Sequence, residues 1–88
     1  MTRKDYKMIA DSFGFAIGLE ATAEDKETRF ARMWAIETAI NSLTNKLQED
    51  NARFDKQKFR FAIDQKAKEV ESSIKSAIEF VELKKANA

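Results

Sequence analysis

Residues 33–70 read MWAIETAINSLTNKLQEDNARFDKQKFRFAIDQKAKEV, and this stretch decides the fold. Apolar residues recur at steps of three and four from Met33 to Leu47, and the same spacing resumes at Phe59. Such steps place apolar side chains along one face of a helix. The short link at 50–54 holds two such helices together as antiparallel neighbours. The stretch therefore predicts a long helical hairpin.

Cap residues set the expected limits of the hairpin. Thr22 is the expected N-cap of the second helix, because acidic residues follow it in what would be the first turn. Asn51 is the expected C-cap. Asp55 is the expected N-cap of the third helix. The predicted helices are thus about 22–50 and about 55–86.

An N-terminal helix is predicted at about 3–19 and is expected to pack on the hairpin. Thr2 and Asp5 have the spacing of a capping box, with Asp in place of Glu. Gly14 and Gly18 have the spacing that lets two helices approach closely. An isolated Gly, however, costs a helix about 1 kcal/mol relative to Ala. We therefore expect Gly14 to weaken or end this helix.

The two long helices are expected to pack seam against seam. Phe30 and Trp34 would extend the seam of the second helix. The predicted seam of the third helix consists of Phe59, Ile63, Ala67, Val70, Ile74, Ala77 and Val81. Three helices of this size leave apolar residues uncovered, and such residues often mark an interface. The candidate self-association residues are Phe15, Leu19, Phe61, Phe80 and Leu83.

Composition narrows the functional classes. Eighty-eight residues make a single domain, 1–88. The chain has no His and no Cys, which removes the commonest general base, the commonest metal ligand and any thiolate site. It also lacks a Gly-rich phosphate loop. We therefore expect no enzyme, no cofactor and no metal.

Neither a membrane span nor a signal peptide is recognisable, which indicates a cytoplasmic protein.

Two stretches are similar to a known group of proteins. The opening ten residues read MTRKDYKMIA, and residues 47–59 read LQEDNARFDKQKF. The first resembles the start of a group of small bacteriophage-encoded proteins. The second resembles that group's signature: a helix end, then Asn-Pro-Arg-Phe-Asp, a basic residue pair and Phe. Ala52 stands where the group usually has Pro, and this chain continues far beyond the signature. The resemblance implies phage or prophage origin, and the cytoplasm of an infected bacterium as the location, but no activity.

Three binding functions remain as hypotheses. Small non-enzymatic phage proteins often inhibit host systems, including immunity, so the leading one is a homo-oligomeric accessory protein that binds and inhibits or redirects a host protein. Arg32 and Trp34 are of the residue types that dominate interface energetics. The second is a nucleic-acid or nucleotide-signal binder using the basic stretch Arg53–Lys68. A third is a self-assembling structural component.

The candidate partner-binding residues come from these hypotheses. They are Arg32, Trp34, Arg53, Lys56, Lys58 and Arg60. The Phe residues interleaved with the basic stretch fit stacking on bases, but at helical spacing they fit a core better. Trp34 fits a core position and a binding position equally well. Arg3, Lys4 and Lys7 beside Tyr6 are expected to join a basic pocket if subunits bring them together.

Overall fold

The computed structural model describes residues 1–86 and contains α1 (Arg3–Ala21), α2 (Lys26–Asp50) and α3 (Lys56–Ala86). The predicted all-α fold, a helical hairpin with an N-terminal helix packed on it, is confirmed. The molecule is an elongated slab of 57 × 28 × 15 Å. Among residues 1–86 there is no β-strand.

Side-chain caps start each helix. The Thr2 hydroxyl accepts the Asp5 N–H at 3.3 Å, and the Asp5 carboxylate accepts the Thr2 N–H at 3.0 Å, so the predicted capping box is present. The hydrogen bond from the Thr2 N–H to the Asp5 carboxylate, followed by the nearby Thr2 hydroxyl, lowers the pKa of Asp5. Asp55 caps α3 as predicted, because its carboxylate accepts the N–H groups of Gln57 and Lys58 at 3.0 and 3.1 Å. Asn51 ends α2, also as predicted.

The predicted N-cap of α2 is wrong by three residues. Thr22 is the C-cap of α1, and its hydroxyl donates to the Leu19 carbonyl at 2.8 Å. Asp25 caps α2 instead, with its carboxylate accepting the N–H groups of Glu27 and Thr28. The Thr28 hydroxyl donates to the same carboxylate, which lowers the pKa of Asp25. A two-sided cap of this kind satisfies more of the free N–H groups at a helix start than Thr22 can.

α1 runs parallel to α3 and lies closer to it than α2 does. Tyr6 contacts Phe54 at one end, and Gly14 and Gly18 meet α3 progressively further along. A Cβ on Gly14 would lie 2.5 Å from the Lys66 Cβ. Gly14 does not end the helix, contrary to our expectation. Instead both glycines allow the close approach, because neither presents a side chain to α3.

The core lies between all three helices. Ile40 and Ile63 are the largest fully buried side chains. The other buried apolar residues are Ala10, Ile17, Phe54, Phe59 and Ala67, with Met33, Ile36, Leu43 and Leu47 of α2 packed partly buried against them. The middle of each predicted seam therefore faces the core, but the expectation that the two seams pack directly on each other is wrong, because α1 rather than α2 lies closest to α3.

The ends of both seams were predicted wrongly. Phe30 and Trp34 are 74% and 67% exposed, and Ala77 and Val81 are also exposed. α3 has 31 residues and α1 only 19, so the last turns of α3 extend beyond the helix that covers its apolar stripe. Every residue from Lys75 to Ala86 is exposed.

Candidate ligand-binding groove

A groove of about 500 Å³ opens where the first turns of α1 and α3 lie side by side. Its volume is within the range of small-molecule pockets. It brings together residues 3–10 and residues 51–62, which are far apart in sequence. The groove is lined by Arg3, Tyr6, Lys7, Ala10, Asn51, Arg53, Phe54, Asp55, Lys58, Phe59 and Ala62.

The two helices present matching faces to this groove. Residues three, four and seven apart share one side of a helix. α1 contributes Arg3, Tyr6, Lys7 and Ala10 at that spacing, and α3 with its cap contributes Asp55, Lys58, Phe59 and Ala62. Each face thus carries an aromatic residue and a small Ala, with two basic residues on α1 and one on α3. Because the helices are parallel, both faces start at the same end of the molecule.

Aromatic rings form the floor of the groove. The Phe54 ring lies 5.2 Å from the Tyr6 ring and 5.4 Å from the Phe59 ring, measured between centroids. Phe54 and Phe59 flank the Asp55 cap and are both buried, so the predicted hydrophobic staple is present. Tyr6 is only half-buried and offers an accessible ring to a ligand. Phe54 and Phe59 therefore belong to the core, whereas the Tyr6 side of the cluster is accessible from the groove.

Positive charge surrounds this floor. Arg3, Lys7, Arg53 and Lys58 line the groove, and Asp55 is the only acidic residue that does so. The Asp55 carboxylate is already occupied by two N–H groups of α3. Lys7 is paired with Asp11 at 3.2 Å, whereas within residues 1–86 the other three basic side chains form no ion pair. The positive ends of two helix dipoles add to this charge.

The link between α2 and α3 fixes Arg53 at the groove. The Asn51 side-chain oxygen accepts the Arg53 N–H at 3.1 Å, and the Asn51 carbonyl accepts the Phe54 N–H at 2.9 Å. This is a turn closed by an Asn side chain. Phe54 is thereby directed into the core, while Arg53 stays exposed beside it. Asn51 is a lining residue that the sequence analysis assigned only to a helix cap.

The structure divides the predicted basic stretch between two sides of α3. Arg53 and Lys58 line the groove, whereas Lys56 and Arg60 face α2. The Lys56 ammonium donates to the Asn45 side-chain oxygen at 2.8 Å. Arg60 bonds Glu37 with both terminal nitrogens, which lowers the pKa of Glu37 and raises that of Arg60. Lys56 and Arg60 thus link helices and lie outside the groove.

In their place, the N-terminal residues complete the basic site. Arg3 and Lys7 lie beside Tyr6 in the groove of a single chain, without a second subunit. Subunit contact is not needed to place Arg3 and Lys7 there, because α1 runs parallel to α3 and its first turn reaches the 51–58 segment, whereas Lys4 does not line the groove. The matching spacing of apolar and basic residues at the two helix starts was the sequence signal for this arrangement.

A second exposed feature lies on α2. Phe30 and Trp34 are one helical turn apart and largely exposed, so Trp34 is not a core residue of this chain. Arg32 points elsewhere: it lies 3.6 Å from the Glu20 carboxylate and connects α2 to α1. Arg32 and Trp34 therefore do not act together on one surface.

The five candidate self-association residues are scattered over the surface of the chain. Phe15 and Leu19 belong to α1, Phe61 to the second turn of α3, and Phe80 and Leu83 to its end. All five are exposed. The Lys84 ammonium covers the Phe80 ring at 5.0 Å. Their exposure is established, whereas their role in self-association stays a prediction.

Searches for metal-binding clusters and membrane-spanning helices in the described part of the chain, and for similar proteins, gave no match. Within residues 1–86 no three acidic side chains lie close enough together to hold a metal ion. In the same range no helix combines the length and apolar character that crossing a membrane requires. No protein-family model, no curated protein and no solved structure matches this chain.

Proposed function

We propose that this protein is a non-catalytic binding protein whose groove holds a phosphate-bearing ligand with a planar ring, of the nucleotide class. The observation that carries the proposal is the ring of Arg3, Lys7, Arg53 and Lys58 around the Tyr6–Phe54–Phe59 cluster. Guanidinium and ammonium groups bind phosphate oxygens, and an aromatic floor accommodates a base or a sugar.

The size and charge of the molecule favour a nucleotide over a long nucleic acid. The net charge is +1, so there is no extended basic surface along which a duplex could lie. The groove of about 500 Å³ is suited to one or two nucleotide units. Basic residues further along the stretch, such as Arg60, are occupied by carboxylates.

Calorimetric titration with mononucleotides, dinucleotides and a short single-stranded oligonucleotide tests the proposal. We expect binding of a nucleotide that weakens as salt is added. Arg53→Ala should reduce the affinity about tenfold, since it removes one charge-assisted contact. Lys68→Ala is the matched control, because Lys68 is exposed on α3 but does not line the groove.

The outcomes separate the alternatives. Preference for the oligonucleotide, with affinity rising with length, would replace the nucleotide by single-stranded nucleic acid. Absence of binding by every phosphate ligand, or equal loss in Arg53→Ala and Lys68→Ala, would reject the groove as a phosphate site.

A second candidate function rests on the exposed pair Phe30 and Trp34. Large aromatic side chains on a surface are typical anchors of protein interfaces. They support the hypothesis of a phage-encoded accessory protein that binds a host protein in the bacterial cytoplasm and inhibits or redirects it. A tagged pull-down from nuclease-treated lysate, compared between the wild type and Phe30→Ala/Trp34→Ala, tests this. Recovery of one stoichiometric protein only by the wild type supports it, and identical recoveries reject it.

A further inference from the structure

The last turns of α3 carry an apolar groove that no helix of the chain covers. Its volume is about 380 Å³, and it is lined by Ile74, Ala77, Ile78, Val81, Glu82 and Lys85. We call the four apolar members, Ile74, Ala77, Ile78 and Val81, the tail face. Ile78 is 46% and Val81 50% exposed.

The tail face continues the stripe of α3 that α1 covers. Gly14 and Gly18 lie against the part of α3 between Ile63 and Val70. α1 ends at Ala21, and the stripe then proceeds without a neighbour. The tail face therefore has the surface of a helix–helix contact whose second helix is missing.

We propose that the tail face docks on the tail face of a second copy of this chain, with the two α3 helices antiparallel and Ile78 near the two-fold axis. Charge complementarity identifies this occupant. Counting outward from Ile78, Lys75 and Glu71 precede it by three and seven residues, and Glu82 and Lys85 follow it by four and seven. The signs are thus reversed on the two sides of Ile78.

When two α3 helices pair antiparallel, this reversal of charge places opposite charges beside each other. Glu71 of one copy lies beside Lys85 of the other, and Lys75 lies beside Glu82, so four opposite-charge pairs flank the apolar contact. A parallel pair would instead place identical residues level with each other. Complementary flanking charges are known to set the orientation of paired helices. Within one chain, the Lys75 ammonium lies 2.8 Å from the Glu71 carboxylate.

The size of the surface sets the strength of the association. Stable complexes bury about 800 Å² on each partner. Four turns of one helix provide less than this, so the dimer is expected to dissociate on dilution. The ligand groove lies at the opposite end of α3, about 33 Å from Ile78 along the helix. Dimerisation therefore leaves both grooves open, and this proposal is independent of their ligand.

Sedimentation velocity over a range of concentrations tests the proposal. We expect a monomer–dimer equilibrium in the wild type and a monomer in Ile78→Glu at all concentrations. Leu83→Glu is the matched control: Leu83 is 63% exposed but lies about two and a half helical turns from Ile74, on the opposite side of α3. It should dimerise like the wild type.

Charge reversal tests the orientation. Glu71→Lys and Lys85→Glu should each weaken the dimer about tenfold, because each places like charges opposite one another. The double variant should regain wild-type association, since only the antiparallel arrangement pairs residue 71 with residue 85. Circular dichroism of each variant checks that α3 remains helical.

Three results would overturn the proposal. They are a wild type that stays monomeric at the highest concentration, a dimer lost in Leu83→Glu but retained in Ile78→Glu, and a double charge reversal weaker than either single one. The first two remove the tail face as the contact, and the third removes the antiparallel arrangement.

Discussion

Arg60 of α3 holds Glu37 of α2 through two parallel hydrogen bonds, with Nη1–Oε2 and Nη2–Oε1 distances of 2.5 and 2.6 Å. Its third nitrogen donates to Asp64 at 3.1 Å. Two-point contacts of this kind are the strongest type of surface ion pair. Because α2 and α3 are the more distant pair of helices, this contact is one of their main connections.

Removing the guanidinium should therefore loosen the hairpin. We expect Arg60→Ala to lower the free energy of unfolding by about 1 kcal/mol, a value reduced from that of a buried pair because both side chains are partly exposed. Urea denaturation of Arg60→Ala, Glu37→Ala and the double variant measures the coupling. If the two single effects are additive, the contact contributes no stability.

The same contact makes stability depend on pH. The Arg60 guanidinium keeps the pKa of Glu37 below its ordinary value of 4.5 in the folded chain. A lowered folded pKa stabilises the fold above the unfolded pKa, and that stability is lost as the pH falls through the folded pKa. The melting temperatures of the wild type and Glu37→Gln should differ at neutral pH and converge below pH 4.5. Asp5 and Asp25 titrate in both proteins, so the difference isolates Glu37. A constant difference down to the lowest pH would exclude this linkage.

Replacing Gly14 by Ala, the best helix former, should destabilise the fold. Ala in place of Gly favours a helix by about 1 kcal/mol. At Gly14, however, a Cβ would lie 2.6 Å from the Ile63 carbonyl oxygen, which is backbone and cannot rotate away. We expect Gly14→Ala to destabilise the chain by about 1–3 kcal/mol. Ser76→Ala, on the exposed end of α3, should be neutral or slightly stabilising. A stabilised Gly14→Ala would mean that α1 and α3 are further apart than described.

Local patterns predicted the helices well, but not what each helix contacts. The Thr2 and Asp55 caps and the Phe54–Phe59 staple involve residues close in sequence, so their spacing was sufficient. Pairing between helices was harder, because apolar spacing does not state how far a covering helix extends. The Ile74–Val81 part of the seam was therefore assigned to the core. Gly14 was misjudged for the same reason: helix propensity is a local property, whereas its neighbours on α3 lie about fifty residues away in sequence.

Two residues of the predicted seams, Ile40 of α2 and Ile74 of α3, differ in burial. Ile40 is 1% exposed, whereas Ile74 is half-buried at the edge of the bundle. Spacing alone treats the two positions alike and predicts that Asp at either one collapses the hairpin. We now expect Ile40→Asp to abolish cooperative unfolding, since it buries an unpaired carboxylate. Ile74→Asp should lower the melting temperature only slightly when measured on dilute, monomeric protein. Equal effects would return Ile74 to the core.

Ala52 lies in the link between α2 and α3, and the backbone there is compatible with Pro. Asn51 before it is extended, with φ −141° and ψ 103°, close to the conformation preferred before Pro. The Ala52 N–H makes no backbone hydrogen bond in the link, so Pro removes no donor that is in use.

We therefore expect Ala52→Pro to stabilise the chain by about 0.5–1 kcal/mol, because Pro restricts the unfolded chain more than the folded one. Arg53→Pro is the control, since its N–H donates to the Asn51 side chain and its loss should destabilise the link. Chemical denaturation of both variants measures the effects. Destabilisation by Ala52→Pro would show that the link needs the Ala52 N–H or a backbone conformation that Pro cannot adopt.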